Sequence, residues 1–156
     1  MIRIKKILYP TDFSSYSNQA YFHAIALAKN HNASLTVLFV YNPDITTTPG
    51  SQGDEVVDRA YWQEQLEQIR PIDLEIPITH ILLEGDPASE IVRYGRDVSA
   101  DLIVMGTHGR TGVERLVLGS VAEKVLRDAT CSVLVVKLPR GQSVLAPDEI
   151  AVSASR

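Results

Sequence analysis

An α/β fold, an open five-stranded parallel sheet with helices on both faces, is the class that this 156-residue sequence predicts. Three observations predict it. Short apolar runs rich in β-branched residues alternate along the chain with stretches whose apolar residues recur at helical spacing. Several of those runs are continuously apolar rather than alternating, as strands covered on both faces are. The junctions between them are mostly short and carry proline, glycine and helix-capping residues.

Residues 2–9 begin with alternation and become continuously apolar, which predicts a first strand ending at Pro10. Asp12, Ser14 and Ser15 then supply helix-start signals, and Ala20, Ala24, Leu27 and Ala28 share one helical face. Residues 33–41 form the second apolar run, closed by Asn42-Pro43, and residues 43–54 are so punctuated by Pro and Gly that they read as a loop. A second helix is expected over 55–70, with Val57, Tyr61, Leu66 and Ile69 turned inward and Pro71 stopping it. Residues 76–83 predict the third strand. At Gly85-Asp86-Pro87, Asp86 can cap a third helix, Pro87 suits its first position and Glu90 adds charge to its first turn. That helix is expected to run to about Val98, with Ala88, Ile91, Val92 and Gly95 along its inner side.

The fourth strand, 102–105, ends at Gly106. After a loop, Val121, Ala122, Val125, Leu126 and Ala129 return to helical spacing, so Ser120 stands where an N-cap belongs and Glu123 completes a capping box. Residues 131–136 predict the fifth strand. From Pro139 onward the residues are small and aperiodic, so the folded domain is expected to span 1–138, with 139–156 a tail that is flexible or packed on a neighbouring subunit.

Composition narrows the function classes. The chain is 45% hydrophobic and 22% charged, with a formal net charge of −4, and its Lys and Arg residues are scattered. Without a basic cluster it lacks the electrostatic footprint of a protein that binds nucleic acid or an anionic membrane. No run of about 18 apolar residues predicts a spanning helix. The charges interleaved in the first nine residues leave no signal-peptide core. A single cysteine, Cys131, cannot form an internal disulfide and reads as a buried structural thiol. Together these features predict a cytoplasmic protein. His23, His31 and His80 show no metal-ligand spacing with one another or with Cys131.

The informative stretch is 101–121, where a strand, a glycine-spaced loop and a helix start follow one another. Glycines let backbone N–H groups turn toward an anion, and the opening turn of a helix favours negative charge, so phosphate is the natural guest. Dipole attraction alone supplies only about 0.3–2 kcal/mol, and several donors must act together. The spacing Gly106-x2-Gly109-x9-Gly119-Ser120, preceded by Asp101-Leu-Ile-Val-Met105, resembles the nucleotide-binding signature of the universal stress protein family in its ATP-binding branch. Tyr9-Pro10-Thr11-Asp12, Leu38-Phe39-Val40 and residues 131–136 extend the likeness over about 1–138.

That resemblance implies a Rossmann-like sheet of order 3-2-1-4-5, with ATP and its Mg2+ in the crevice between strands one and four. Matched position by position, it places Pro10, Thr11, Asp12 and the main chain of Val40 at the adenosine. Met105, Gly106, His108, Gly109, Arg110, Gly119, Ser120 and Val121 would lie toward the phosphates. It further implies a homodimer whose last strands, Val133, Leu134, Val135 and Val136, meet edge to edge. Ser132 departs from the family, many of whose members carry proline there, and restores an N–H donor to that edge.

Read without the resemblance, several residues keep a second role. Asp12 is a helix-capping aspartate, Ser120 an N-cap, and Arg110 a partner for either a phosphate or Glu114. The loop holds no lysine, the Gly-x4-Gly-Lys-Ser/Thr pattern is absent, and Glu114 is its one acid. Slow or no hydrolysis is therefore expected, with the nucleotide acting as a conformational ligand. Two rivals remain: a nucleotide-free dimerising module of the same fold, and an enzyme. A phosphotransfer receiver requires an acidic cluster after strand one and an aspartate after strand three, where Glu84-Gly85 stands instead, and a Ser-Gly-Gly hydrolase requires glycines after strand one, where Thr11-Asp12-Phe13-Ser14 stands.

Overall fold

The computed structural model describes residues 1–42, 59–71, 75–107 and 118–137. In chain order the elements are β1 (Lys6–Pro10), α1 (Ser15–His31), β2 (Ser34–Tyr41), α2 (Arg59–Glu67), β3 (Ile78–Glu84), α3 (Pro87–Asp97), β4 (Leu102–Gly106), α4 (Ser120–Asp128) and β5 (Ser132–Val136). The strands form one five-stranded sheet of order β3-β2-β1-β4-β5, and every neighbouring pair is parallel. Both the predicted fold class and the strand order implied by the family resemblance are present.

Side-chain alternation divides the interior into two layers. Ile7 and Tyr9 of β1, Val37 and Phe39 of β2, and Leu102 and Val104 of β4 pack with Ala20, Ala24 and Ala28 of α1 and with Trp62 and Leu66 of α2. The intervening residues Leu8, Leu38, Val40, Ile103 and Met105 point the other way, onto Ala88 and Ile91 of α3 and Ala122 and Val125 of α4. Period two along the strands thus meets an alanine-lined helix on one face and two amphipathic helices on the other. The alanines let α1 lie close against the sheet.

The element ends differ from the sequence expectation in informative ways. β1 begins at Lys6 rather than near Ile2, because its neighbour β2 starts at Ser34, the register partner of Lys6; Met1 and Ile2 are fully exposed. α2 ends at Glu67, short of Arg70, and the expected start at 55, together with Val57, lies outside the described residues. Its principal inward residue is Trp62, 2% exposed, which the helical pattern did not single out; Tyr61 and Ile69 are only half-buried. At α3 the junction behaves as its residues predict: Asp86 is the N-cap, its carboxylate accepts the Ser89 N–H at 3.0 Å, and Pro87 opens the helix. Lys124 of α4 reaches the same carboxylate at 3.2 Å, tying the two helices together.

At the amino-terminal edge of the sheet, the Asp101 carboxylate accepts the N–H groups of Lys5 and Lys6 at 2.8 and 2.9 Å, joining the start of β1 to the start of β4. Those two backbone hydrogen bonds, aided by the Lys6 charge, hold its carboxyl below the usual range. A depressed folded-state pKa means that the stabilisation is present above the unfolded carboxylate pKa, about 3.9, and is lost as pH falls through the lower folded value. Asp101→Ala is expected to cost about 1–2 kcal/mol at pH 7, since water re-solvates the two exposed N–H groups. Urea unfolding at pH 7 and near pH 3 checks this: the gap between wild type and variant should narrow in acid, and a gap independent of pH would count against it.

Candidate functional site

Parallel strands deliver all their carboxyl ends to one edge of the sheet. Chain direction across the sheet reverses beside β1: β2 and β3 lie to one side, β4 and β5 to the other. Such a switch point leaves a crevice beyond the strand ends, because the chains leaving the two neighbouring strands depart to opposite faces. Pro10 closes β1 there and Gly106 closes β4.

The segment after β1 is held by a chain of short hydrogen bonds. The Thr11 N–H donates to the Leu38 carbonyl at 2.8 Å, and Thr11 Oγ1, 5% exposed, accepts the Phe13 N–H at 3.0 Å and lies 3.1 Å from Ser17 Oγ. Asp12 Oδ1 accepts the Ser14 N–H at 2.9 Å. Ser14, not Asp12, is the N-cap of α1, its side chain accepting the Ser17 N–H. Asp12 therefore stands two residues upstream of the cap, in an Asx turn, so its sequence-expected capping role is corrected: the helix begins later than the first acidic residue suggests. The Tyr9 hydroxyl donates to the Ser17 carbonyl at 2.8 Å, and burial pushes its pKa up to about 12, keeping it a neutral donor.

Phe13 has φ of +62°, a left-handed conformation that a bulky L-residue adopts only when its surroundings hold it there. The cost is about 1–2 kcal/mol. Its ring meets Phe39 edge-on, with centroids 4.8 Å apart, and stacks on Trp62 at 5.5 Å.

Across the crevice, Gly106 owes its lack of a side chain to α1. A Cβ there would sit 2.7 Å from the Tyr16 carbonyl oxygen and 2.8 Å from its carbon, so the first turn of α1 rests directly on the backbone at the end of β4. Gly106 is not among the residues with positive φ, and Gly119 has φ of −59°, so a left-handed turn is not why either is glycine. Thr107 is buried, and its carbonyl accepts the Gly119 N–H at 2.7 Å, tying the end of β4 to the start of α4. His108, Gly109 and Arg110 lie outside the described residues.

Gly119 is the N-cap of α4 and makes no side-chain capping bond; the Glu123 N–H reaches its carbonyl at 2.9 Å. Ser120 is thus the exposed first helical residue rather than the cap. Glu123 falls one position too late for the expected capping box, which needs its acid at the third helical residue. Ser120, Val121 and Ala122 precede the first intrahelical bond and carry the opening N–H groups.

On the other side of β1, main-chain direction in β2 alternates. Ser34 N–H and the Leu38 carbonyl bond toward β1, whereas Leu35 N–H and the Tyr41 carbonyl bond toward β3. Val40, two residues beyond Leu38, therefore turns its own N–H and C=O toward the β1 side, past the point where β1 has ended. Its side chain is buried against α3 and α4. Pro10, Thr11 and Met105 are all buried at these strand ends, Met105 on the same layer as Val40.

His23, His80 and the Cys131 thiol stand apart from this crevice. His80 Nε2 lies 2.6 Å from the Ile69 carbonyl, and His23 Nδ1 lies 3.0 Å from the Gln19 carbonyl on its own helix. Cys131 is half-buried rather than fully buried, and burial pushes its pKa up, disfavouring the reactive thiolate. Among the described residues no group of three or more His, Cys, Asp or Glu could hold a metal ion, and no helix is long and apolar enough to cross a membrane.

Comparison with known proteins agrees with the fold and the sheet order. The family model described as the Universal stress protein family matches residues 3–137. The chain belongs to the universal stress protein family. Universal stress protein MJ0531 of Methanocaldococcus jannaschii is 42% identical over 142 residues, which span 87% of this chain and 84% of that protein. Among solved structures, the universal stress protein UspA from Lactobacillus plantarum is similar with a TM-score of 0.73 at 27% identity, covering 86% of this chain and 98% of that one. Two more distant universal stress protein structures share the fold, one in complex with cAMP (24% identity, TM-score 0.64, covering 86% of this chain and 98% of that one) and one from Archaeoglobus fulgidus in complex with dAMP (22%, 0.55, with the same coverages).

Proposed function

We propose that this universal stress protein binds ATP with Mg2+ at the carboxyl-end crevice between β1 and β4, as a regulatory ligand that it hydrolyses slowly or not at all. The observation that carries this is the meeting of two distant segments there: the first turn of α1, carrying the Asp12 loop, is seated on the backbone of Gly106. Asp12 accepts hydrogen bonds from the ribose, and the Val40 main chain reads the adenine edge. Pro10, Thr11 and Met105 form the floor. Gly106, Gly119, Ser120 and Val121 bring backbone N–H groups and a helix start toward the phosphates, joined by His108, Gly109 and Arg110 on the intervening loop. The donor set is one of neutral main-chain groups with few acids, which suits a polyanion. Mg2+ would arrive with the nucleotide and take ligands from its phosphates, with the Ser120 hydroxyl beside them. Relatives of the same fold hold adenine nucleotides, cAMP and dAMP, but at their low identity they support the architecture alone; the case for this chain rests on its own residues.

Calorimetric titration with Mg-ATP, Mg-ADP and AMP tests this directly. Wild type should bind one nucleotide per chain. Asp12→Ala should weaken it by about tenfold, the worth of one hydrogen bond involving a charged group, and Gly109→Val should abolish phosphate-dependent affinity. Absence of any heat or of nucleotide absorbance in the purified protein would favour the nucleotide-free module, and rapid multiple turnover would overturn the regulatory reading.

The same proposal includes a homodimer through β5. Its outer edge has no partner strand among the described residues. Leu134 is 37% exposed, Val133 and Val135 are half-buried, and Val136 is buried, so Val136 would contribute its main chain alone. An apolar edge of this kind invites a second strand, and a symmetric pairing satisfies it without open-ended growth. Leu134→Lys should shift the mass measured by light scattering from dimer to monomer; an unchanged mass would place the interface elsewhere.

A further inference from the structure

We propose that Phe13 is a positioning residue for the nucleotide: its ring, clamped between Phe39 of β2 and Trp62 of α2, holds the left-handed turn that presents Asp12 at the crevice. Resting on nucleotide binding at that crevice, the inference adds a route by which α2 influences affinity. Phe13 is the next residue after Asp12, its φ is +62°, and its N–H is held by Thr11 Oγ1 at 3.0 Å. A phenylalanine does not choose this backbone conformation by itself. What opposes its relaxation is the pair of ring contacts, 4.8 Å to Phe39 and 5.5 Å to Trp62, the latter 2% exposed. Phe39 and Trp62 also touch each other at 4.9 Å, so the clamp is a closed three-ring cluster joining β2, α2 and the β1–α1 loop.

Rotation of residue 13 toward an ordinary extended or helical conformation would swing the peptide that joins it to Asp12. The Asx turn from Asp12 to Ser14 spans the same residue, at 2.9 Å, so the carboxylate cannot keep its direction if Phe13 relaxes. Coupling is reciprocal: a nucleotide that engages Asp12 stabilises the clamp, and a shift of α2 that withdraws Trp62 loosens the nucleotide.

The test is Mg-ATP affinity by calorimetry, at a temperature where circular dichroism shows every variant fully folded. Phe13→Ala should bind about tenfold more weakly than wild type, within the range of coupling between contacting groups. Phe13→Gly, which accepts positive φ freely but lacks the ring, should lose as much, and Phe13→Tyr, which keeps the ring, should bind like wild type. In an Asp12→Ala background, Phe13→Ala should add no further loss, because the group it positions is gone. Wild-type affinity in Phe13→Ala or Phe13→Gly would overturn the positioning role, as would an undiminished loss in the Asp12→Ala background. A silent wild-type titration would instead overturn nucleotide binding itself, and this inference with it.

Discussion

Trp62→Ala is expected to lower the unfolding free energy by about 3–5 kcal/mol, the range found when a large aromatic is removed from a packed interior. Trp62 is 2% exposed and belongs to the larger of the two core layers. Its ring contacts Phe13, Phe39 and Tyr61 at centroid distances of 5.5, 4.9 and 5.0 Å. α2 is short and attaches to β2 and β3 chiefly through Trp62 and Leu66, its two buried residues. Truncation would leave a cavity that the sheet cannot collapse to fill, because β2 is a central strand paired on both sides. Urea unfolding followed by circular dichroism checks this, since the variant loses the only tryptophan. A loss under about 1 kcal/mol would mean that α2 does not dock through this ring.

Gly106→Ala should be the most damaging single-methyl change at the crevice. The new Cβ would meet the carbonyl of Tyr16 at 2.7 Å, and neither partner is a flexible side chain: one is the end of a central strand, the other the first turn of a 17-residue helix. One of them must move. An overpacking cost of about 1–3 kcal/mol is expected, together with weaker Mg-ATP binding, because the turn that is displaced carries Asp12. Gly95→Ala supplies the contrast. Its Cβ would lie 3.4 Å from Ile103 Cδ1 and 3.6 Å from Leu8 Cδ2, close to ordinary contact, inside α3. Relieving helical glycine should stabilise by about 0.5–1 kcal/mol and leave nucleotide affinity unchanged. Thermal melts of the pair measure both signs. Equal effects at the two positions would show that the contact with Tyr16 does not govern Gly106.

Much of the fold was legible because its signals are local. Apolar continuity at 102–105 marked a doubly covered strand, the 20-24-28 alanine spacing marked a sheet-facing helix, and Asp86-Pro87 marked a helix start that the structure reproduces with Asp86 as cap. Where two start signals compete, sequence alone chose less well. Asp12 and Ser14 are both good caps, as are Gly119 and Ser120, and the winner in each case is set by where the preceding segment is anchored: by Thr11 on Leu38, and by Gly119 on Thr107. Trp62 was missed for a related reason. α2 covers only one end of the sheet, so its two buried residues are too few to impose a periodic stripe.

The sequence by itself determined the fold class and the order of elements along the chain, because these follow from residue preferences read over a few neighbours, whereas the strand order that sets β1 beside β4 came from the family resemblance. The tertiary structure alone decided that Gly106 is glycine to admit the backbone of α1, that Trp62 clamps a strained Phe13, and that Val40 turns its main chain past the end of β1. Each of these depends on how closely segments tens of residues apart approach in space. No local pattern encodes such a distance, since it is set only when both layers of the core pack at once.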